Sequence, residues 1–181
     1  MNLERCFPFL TEKGHIVSLV GGGGKTTLMY AMASCCARKD WKVLAATTTH
    51  IMKPPGGVWA DNNAARDALW ADGSYAVAGS AAPEGKLTVP PAQLLSRWMK
   101  LADLTLIEAD GAKRMPCKAP AVHEPVILPQ CDTVLAVAGL SALGRPLEKV
   151  CFRAELAAGF LGAPLDAALT PELLAELLAS E

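Results

Sequence analysis

Val20-Gly21-Gly22-Gly23-Gly24-Lys25-Thr26-Thr27 is the stretch that decides the fold. Glycines let the backbone turn tightly, so that successive N–H groups can point at one anion. Just before it, residues 15–20 (HIVSLV) form a short apolar run rich in β-branched residues, which predicts a strand. Just after it, residues 26–39 predict a helix with Leu28, Ala31, Met32, Cys35 and Cys36 as one buried stripe. The first turn of that helix would add unpaired N–H groups and its dipole to the same anion site. In such a setting Lys25 neutralises β/γ-phosphate charge and the Thr26 hydroxyl ligates Mg²⁺. Nucleotide binding is therefore expected at Gly21, Gly22, Gly23, Gly24, Lys25, Thr26 and Thr27.

The full phosphate-loop pattern would place a glycine at position 19, where this chain has Leu19. The form that fits is the shorter Gly21-x-x-Gly24-Lys25-Thr26-Thr27, which is similar to the loops of the Mur ligases. A flexible glycine turn that binds nothing is the competing reading. The strand before and the amphipathic helix after weigh against it.

Outward from this loop, strands are expected at residues 42–47, 75–78, 104–108 and 133–137, with a weaker one at 87–89. Helices are expected at 61–70, 91–100, 147–161 and 171–179, the last with Thr170 as N-cap. Alternating strands and helices imply a parallel sheet covered on both faces. The expected fold is α/β, a P-loop NTPase-like three-layer sandwich with a mainly parallel sheet, formed by residues 1–181 as a single domain. Of the 181 residues 51% are apolar and 19% charged, which excludes whole-chain disorder. A formal net charge of −1 argues against a general nucleic-acid binder. No apolar run approaches the roughly 18 residues of a membrane span, and the start lacks the apolar stretch of a secretory signal. Six cysteines without a C-x-x-C pair fit reduced thiols in the cytoplasm.

Leu104-Thr105-Leu106-Ile107 leads into Glu108-Ala109-Asp110-Gly111. Residues two apart on a strand share a side, so Glu108 and Asp110 are expected to converge at the carboxyl end of the sheet. There a carboxylate can hold Mg²⁺ or orient water, so the expected catalytic set is Lys25, Glu108 and Asp110, with Thr26 and Asp110 on the metal. Asp110-Gly111 could equally be a turn. Thr47-Thr48-Thr49-His50 ends the second strand at the same edge, where Thr49 and His50 could meet Mg²⁺ or the γ-phosphate. Residues 109–131 contain four prolines and no clear periodicity, and their Lys113, Arg114, Lys118 and His123 could grip an anionic second substrate or the nucleotide's own phosphates. A solvated charged loop is the plainer alternative. Cys35 and Cys36 read as core, Cys117 is the thiol to watch, and no cysteine or histidine spacing matches a structural zinc site.

Taken together these motifs resemble one family, the selenium-dependent hydroxylase accessory proteins called YqeC. The resemblance is carried by residues 19–27 (LVGGGGKTT), by Thr47-Thr48-Thr49-His50, by residues 108–113 (EADGAK), and by residues 118–125 (KAPAVHEP). It implies a P-loop nucleotide-binding fold, ATP or GTP with Mg²⁺ as ligand, and a role in maturing selenium-dependent molybdenum hydroxylases. The hydroxylase or its pterin cofactor is the implied partner, with no nucleic acid and no membrane. Members of the family continue beyond the helix at 170–180 into an apolar strand and an Asn-Lys-x-Asp-like stretch. This chain stops at Glu181, so a short or truncated member is expected. The expected activity is slow hydrolysis of the triphosphate. Its alternatives are a nucleotide-gated binding module without turnover, or a phospho- or nucleotidyl transferase acting on a small anionic cofactor precursor.

Overall fold

The apolar run at the glycine loop forms β1 (His15–Gly21), the second strand of a six-stranded sheet, in the computed structural model of the chain, which describes residues 3–180. A single helical turn, α1 (Leu3–Cys6), precedes β1, and α2 (Lys25–Ala37) follows it directly. The chain continues through β2 (Val43–Thr47), β3 (His50–Met52), β4 (Trp59–Ala60), α3 (Asn63–Ala71) and β5 (Ala76–Ala78). A hairpin of β6 (Ser80–Ala82) and β7 (Lys86–Thr88) leads to α4 (Ala92–Met99) and β8 (Leu104–Glu108). The remainder is β9 (Cys117–Lys118), β10 (Thr133–Val137), α5 (Leu147–Val150), β11 (Cys151–Phe152), α6 (Ala154–Leu161) and α7 (Pro171–Leu178). Among the described residues no helix is long and apolar enough to cross a membrane.

The central sheet runs β10-β1-β8-β2-β5-β4, and every pairing in it is parallel. Alternation along β2 explains its two covered faces. Val43 and Ala45 face one core with Met29, Met32, Ala33 and Cys36 of α2, while Leu44 and Ala46 face another with Leu95 and Trp98 of α4. The fold is thus α/β with a parallel sheet between helical layers. The Trp98 indole, fully buried, donates to Asn63 Oδ1 at 2.8 Å, so the ring's polar edge is satisfied within the second core.

Four sequence expectations change. The stripe of α2 turns by one residue: Lys25, Met29, Met32, Ala33, Cys36 and Ala37 are buried, Ala31 is exposed, and Leu28 and Cys35 are only partly covered. Apolar residues surround this helix, so spacing alone left its inward face undecided, and packing against β1, β2 and β8 selects it. The helix expected over 147–161 is broken into α5, β11 and α6. Cys151 and Phe152 leave it to pair in parallel with Cys117 and Lys118 of β9, and Arg153, at φ 62°, makes the left-handed turn into α6. The stretch 109–131 therefore contains a strand, and it is tied down further by Val126 N donating to Ala109 O at 3.0 Å. The weak strand at 87–89 is β7, which stands outside the main sheet, pairing antiparallel with β3 and β6 in a small three-stranded sheet.

Candidate functional site

Insertion of β8 between β1 and β2 builds the site. It sets Glu108 opposite Leu19 on one side and Thr47 on the other, one layer below the glycine loop. The carboxyl ends of these strands, the start of α2, and β3 with β7 enclose a cleft of about 610 Å³. Ligands of open parallel sheets sit at such a strand edge.

The four glycines do different work. Gly21 N donates to Asp110 Oδ2 (2.9 Å), Gly22 N to Val137 O (2.7 Å) and Gly23 N to Met115 O (3.0 Å). These three N–H groups are spent inside the protein, contrary to the expectation that they converge on an anion. Their lack of side chains is still required. A Cβ on Gly22 would lie 2.6 Å from Cys117 Cα, and one on Gly23 would lie 2.1 Å from Gly139 N. Gly24 has open space around it and is needed for its φ of 102°. Beyond Gly24, the first turn of α2 presents backbone N–H groups that no helical carbonyl can reach.

Lys25, Thr26, Glu108 and Asp110 do converge. The Thr26 hydroxyl donates to Glu108 Oε2 at 2.6 Å. Burial raises the Glu108 carboxyl above the usual carboxylate range, against the opposing pull of the Thr26 hydroxyl and the Lys25 charge. Glu108 lines the cleft together with Gly23, Gly24, Lys25, Thr26 and Thr27. Asp110 does not: it is fully buried behind Lys25, whose Nζ sits 2.9 Å from its Oδ1 and also donates to Gly21 O. Asp110 therefore stands as the anchor of Lys25, and Glu108 as the carboxylate on the cleft.

The basic stretch divides. Lys113 and Arg114 are exposed at the cleft, both with left-handed backbone (φ 46° and 64°), an uncommon pair for residues other than glycine. Lys118 is fully buried, with Nζ 2.6 Å from Asp110 Oδ2 and 2.8 Å from Glu124 Oε2. Glu124 in turn takes Arg153 Nη1 at 2.6 Å. Charges thus alternate from Lys25 through Asp110, Lys118 and Glu124 to Arg153. His123 is exposed and lies outside the cleft lining. His50 lines the cleft, while Thr49 is turned to Thr47, its N–H donating to Thr47 Oγ1 at 3.0 Å. Cys117 is buried, its thiol donating to Val150 O at 3.3 Å and held below the usual thiol range by a hydrogen bond with Cys151. Arg153, Met52 and Lys86 escaped the sequence reading: Arg153 sat inside an apparent helix, and the other two reach the cleft on β3, just past the Thr47–His50 motif, and on β7, which carries none.

Glu124 gives a pH test. Burial raises its pKa, but the hydrogen bonds and charges of Arg153 and Lys118 together outweigh burial and hold it at about 2. In the unfolded chain it titrates near 4.3, roughly the ordinary glutamate value. The unfolded chain therefore takes up the proton first, so the stabilisation is complete above about pH 5 and lost as pH falls toward 2. Urea unfolding of the parent and Glu124→Gln should show a stability gap at pH 7 that closes across this acid window. A gap constant with pH would remove the carboxylate charge from the account.

A parallel sheet between helical layers, with a glycine turn, a lysine and a hydroxyl at its carboxyl edge, defines the class, that of open α/β proteins. The chain matches the family described as YqeC protein over residues 17–155, and it belongs to that family. It is 33% identical over 136 residues to a protein of Escherichia coli (strain K12) described as uncharacterized protein YqeC, covering 71% of this chain and 53% of that one. The chain thus spans about half the length of the curated relative it matches. No solved structure matches it.

Proposed function

We propose that the cleft binds a nucleoside triphosphate, ATP or GTP, with Mg²⁺, and that the protein is a slow P-loop NTPase. The observation that carries this is the Thr26 hydroxyl 2.6 Å from Glu108 at the start of α2, beside Lys25. A hydroxyl and a carboxylate are hard oxygen donors of the kind Mg²⁺ takes, and burial leaves Glu108 short of counter-charge, so the donor set fits the ion. Thr26 and Glu108 would hold it, and the ion would neutralise charge on the phosphates. Asp110, facing Lys25 and Lys118, is outside this set. Lys25 and the first turn of α2 would grip the β- and γ-phosphates, while Glu108 orients water. An accessory role in maturation of selenium-dependent molybdenum hydroxylases rests on the family resemblance.

The test is phosphate release by the parent and by Glu108→Gln, with binding of a non-hydrolysable triphosphate measured alongside. Turnover is expected to fall about 100-fold or more while affinity changes only a few-fold, the pattern of a group that acts mainly after binding. Turnover equal to the parent's would remove Glu108 from the reaction. A nucleotide-gated module without turnover is favoured by one feature, the alternating charges behind Lys25, because a lysine drawn to phosphate must loosen its hold on Asp110. No measurable release by the parent, with tight binding, would select that reading.

A further inference from the structure

Among the described residues four cations line the cleft, Lys25, Lys86, Lys113 and Arg114, against one carboxylate, Glu108, in a chain whose net charge is −1. They are not gathered in one place. Lys25 belongs to the glycine-loop wall and is committed to Asp110. Lys86 belongs to the opposite wall, the small sheet, where it pairs in register with Met52, while His50 stands two residues back along β3. Strand geometry puts Met52 and Lys86 roughly 6–7 Å farther along the strand than His50. Arg114 and Lys113 line the same cleft on left-handed backbone, with Lys113 Nζ 5.0 Å from the centre of the Phe152 ring. The wall also carries apolar side chains: Ile51 is buried, and Met52, which lines the cleft, is 47% exposed. The ion pair of Lys86 with Glu84 is no obstacle, since Glu84 is largely exposed and such pairs are worth little.

We propose that this wall is a second ligand subsite, for a small phosphorylated molecule whose phosphate lies between Lys86 and Arg114 and whose apolar body lies on Met52. The proposal rests on the triphosphate reading, which assigns the other wall. A guanidinium and an ammonium group on the lining of one cleft suit a phosphate dianion, and a thioether in register with the lysine suits an aromatic or other flat apolar body. The cleft volume, about 610 Å³, lies within the usual range of small-molecule sites. A cleft built for two anionic ligands would let a triphosphate and a phosphorylated acceptor meet over Glu108.

The test is calorimetric titration of inorganic phosphate and of phenyl phosphate into protein saturated with a non-hydrolysable triphosphate and Mg²⁺, so that the γ-phosphate position is filled. Both should bind, phenyl phosphate several-fold more tightly. Lys86→Met with Arg114→Asn should weaken both at least tenfold and leave triphosphate affinity within twofold. Asparagine tolerates the left-handed backbone at 114, so the fold is kept, as thermal melts of the variants would verify. Met52→Ser should erase the preference for phenyl phosphate and leave inorganic phosphate unchanged. Absence of phosphate binding to the saturated protein would overturn the proposal, as would an equal loss of triphosphate affinity in the double variant, which would assign these cations to the nucleotide. If no triphosphate binds, the titration is repeated on the free protein. There, loss of phosphate binding on Lys25→Met but not in the double variant overturns the second subsite, and the reverse upholds it without the nucleotide.

Discussion

Lys25→Met should weaken triphosphate–Mg²⁺ binding by about 2–4 kcal/mol, roughly 30- to 800-fold in Kd, the loss of a charge-assisted contact with phosphate. Methionine keeps the length of the buried stem, so the change is confined to the ammonium group. That group is almost fully buried, 2.9 Å from Asp110, and its loss leaves one carboxylate oxygen facing an apolar chain. A stability cost of about 1–3 kcal/mol should therefore accompany the loss of affinity. Equilibrium binding and urea denaturation measured on the same sample separate the two effects. Undiminished affinity would end the phosphate-loop reading whatever happened to stability.

Asp110→Asn should have the largest effect on the folded state. Two buried ammonium groups, of Lys25 and Lys118, face this carboxylate at 2.9 and 2.6 Å, and Gly21 N donates to it. Removing the negative charge strands Lys25 and leaves Lys118 with Glu124 alone, and breaking a buried pair in this way costs about 3–5 kcal/mol. For a chain of this size that corresponds to a fall in Tm of about 6–20 °C. Adding Lys118→Met to Asp110→Asn removes the half-paired buried charge, leaves Glu124 with Arg153, and should recover part of the loss, a coupling that a double-mutant cycle reads directly. A loss below about 1 kcal/mol in the single variant would mean that these charges are solvated. The sequence reading had Asp110 acting on metal or water and left folding out of its role.

The extent to which the chain could be read in advance follows physical lines. Strand 104–108 coincides with β8, because a continuous apolar run buried on both faces has few other uses, and 133–137 coincides with β10, an edge strand whose β-branched residues alternate half-buried and exposed. Thr170 caps α7 as expected, its hydroxyl accepting from Leu173 N at 3.3 Å, since N-capping is a property of four adjacent residues. What escaped was non-local. Nothing in the order of residues says that β8 inserts between β1 and β2, yet that insertion brings Glu108 to Thr26. Lys118 looked like one more solvated cation in a proline-rich stretch, and only the Asp110 and Glu124 carboxylates, arriving from either side, make its burial tolerable. Phe152 and Cys151 read as helix because their strand partner lies 34 residues earlier and is itself only two residues long.

The four glycines carry unequal information. Gly22 is fixed by a neighbour's backbone, that of Cys117 in β9, and Gly23 by Gly139 and Pro116, while Gly24 answers only to its own dihedral angle. A pattern written as four identical letters merges the imprint of surrounding chain with the imprint of a turn. Asparagine, at home in left-handed backbone, is a legible substitute at the fourth letter and an error at the third. Among relatives, then, a change at 22 or 23 speaks about residues 116, 117 and 139, whereas a change at 24 speaks about the mouth of α2.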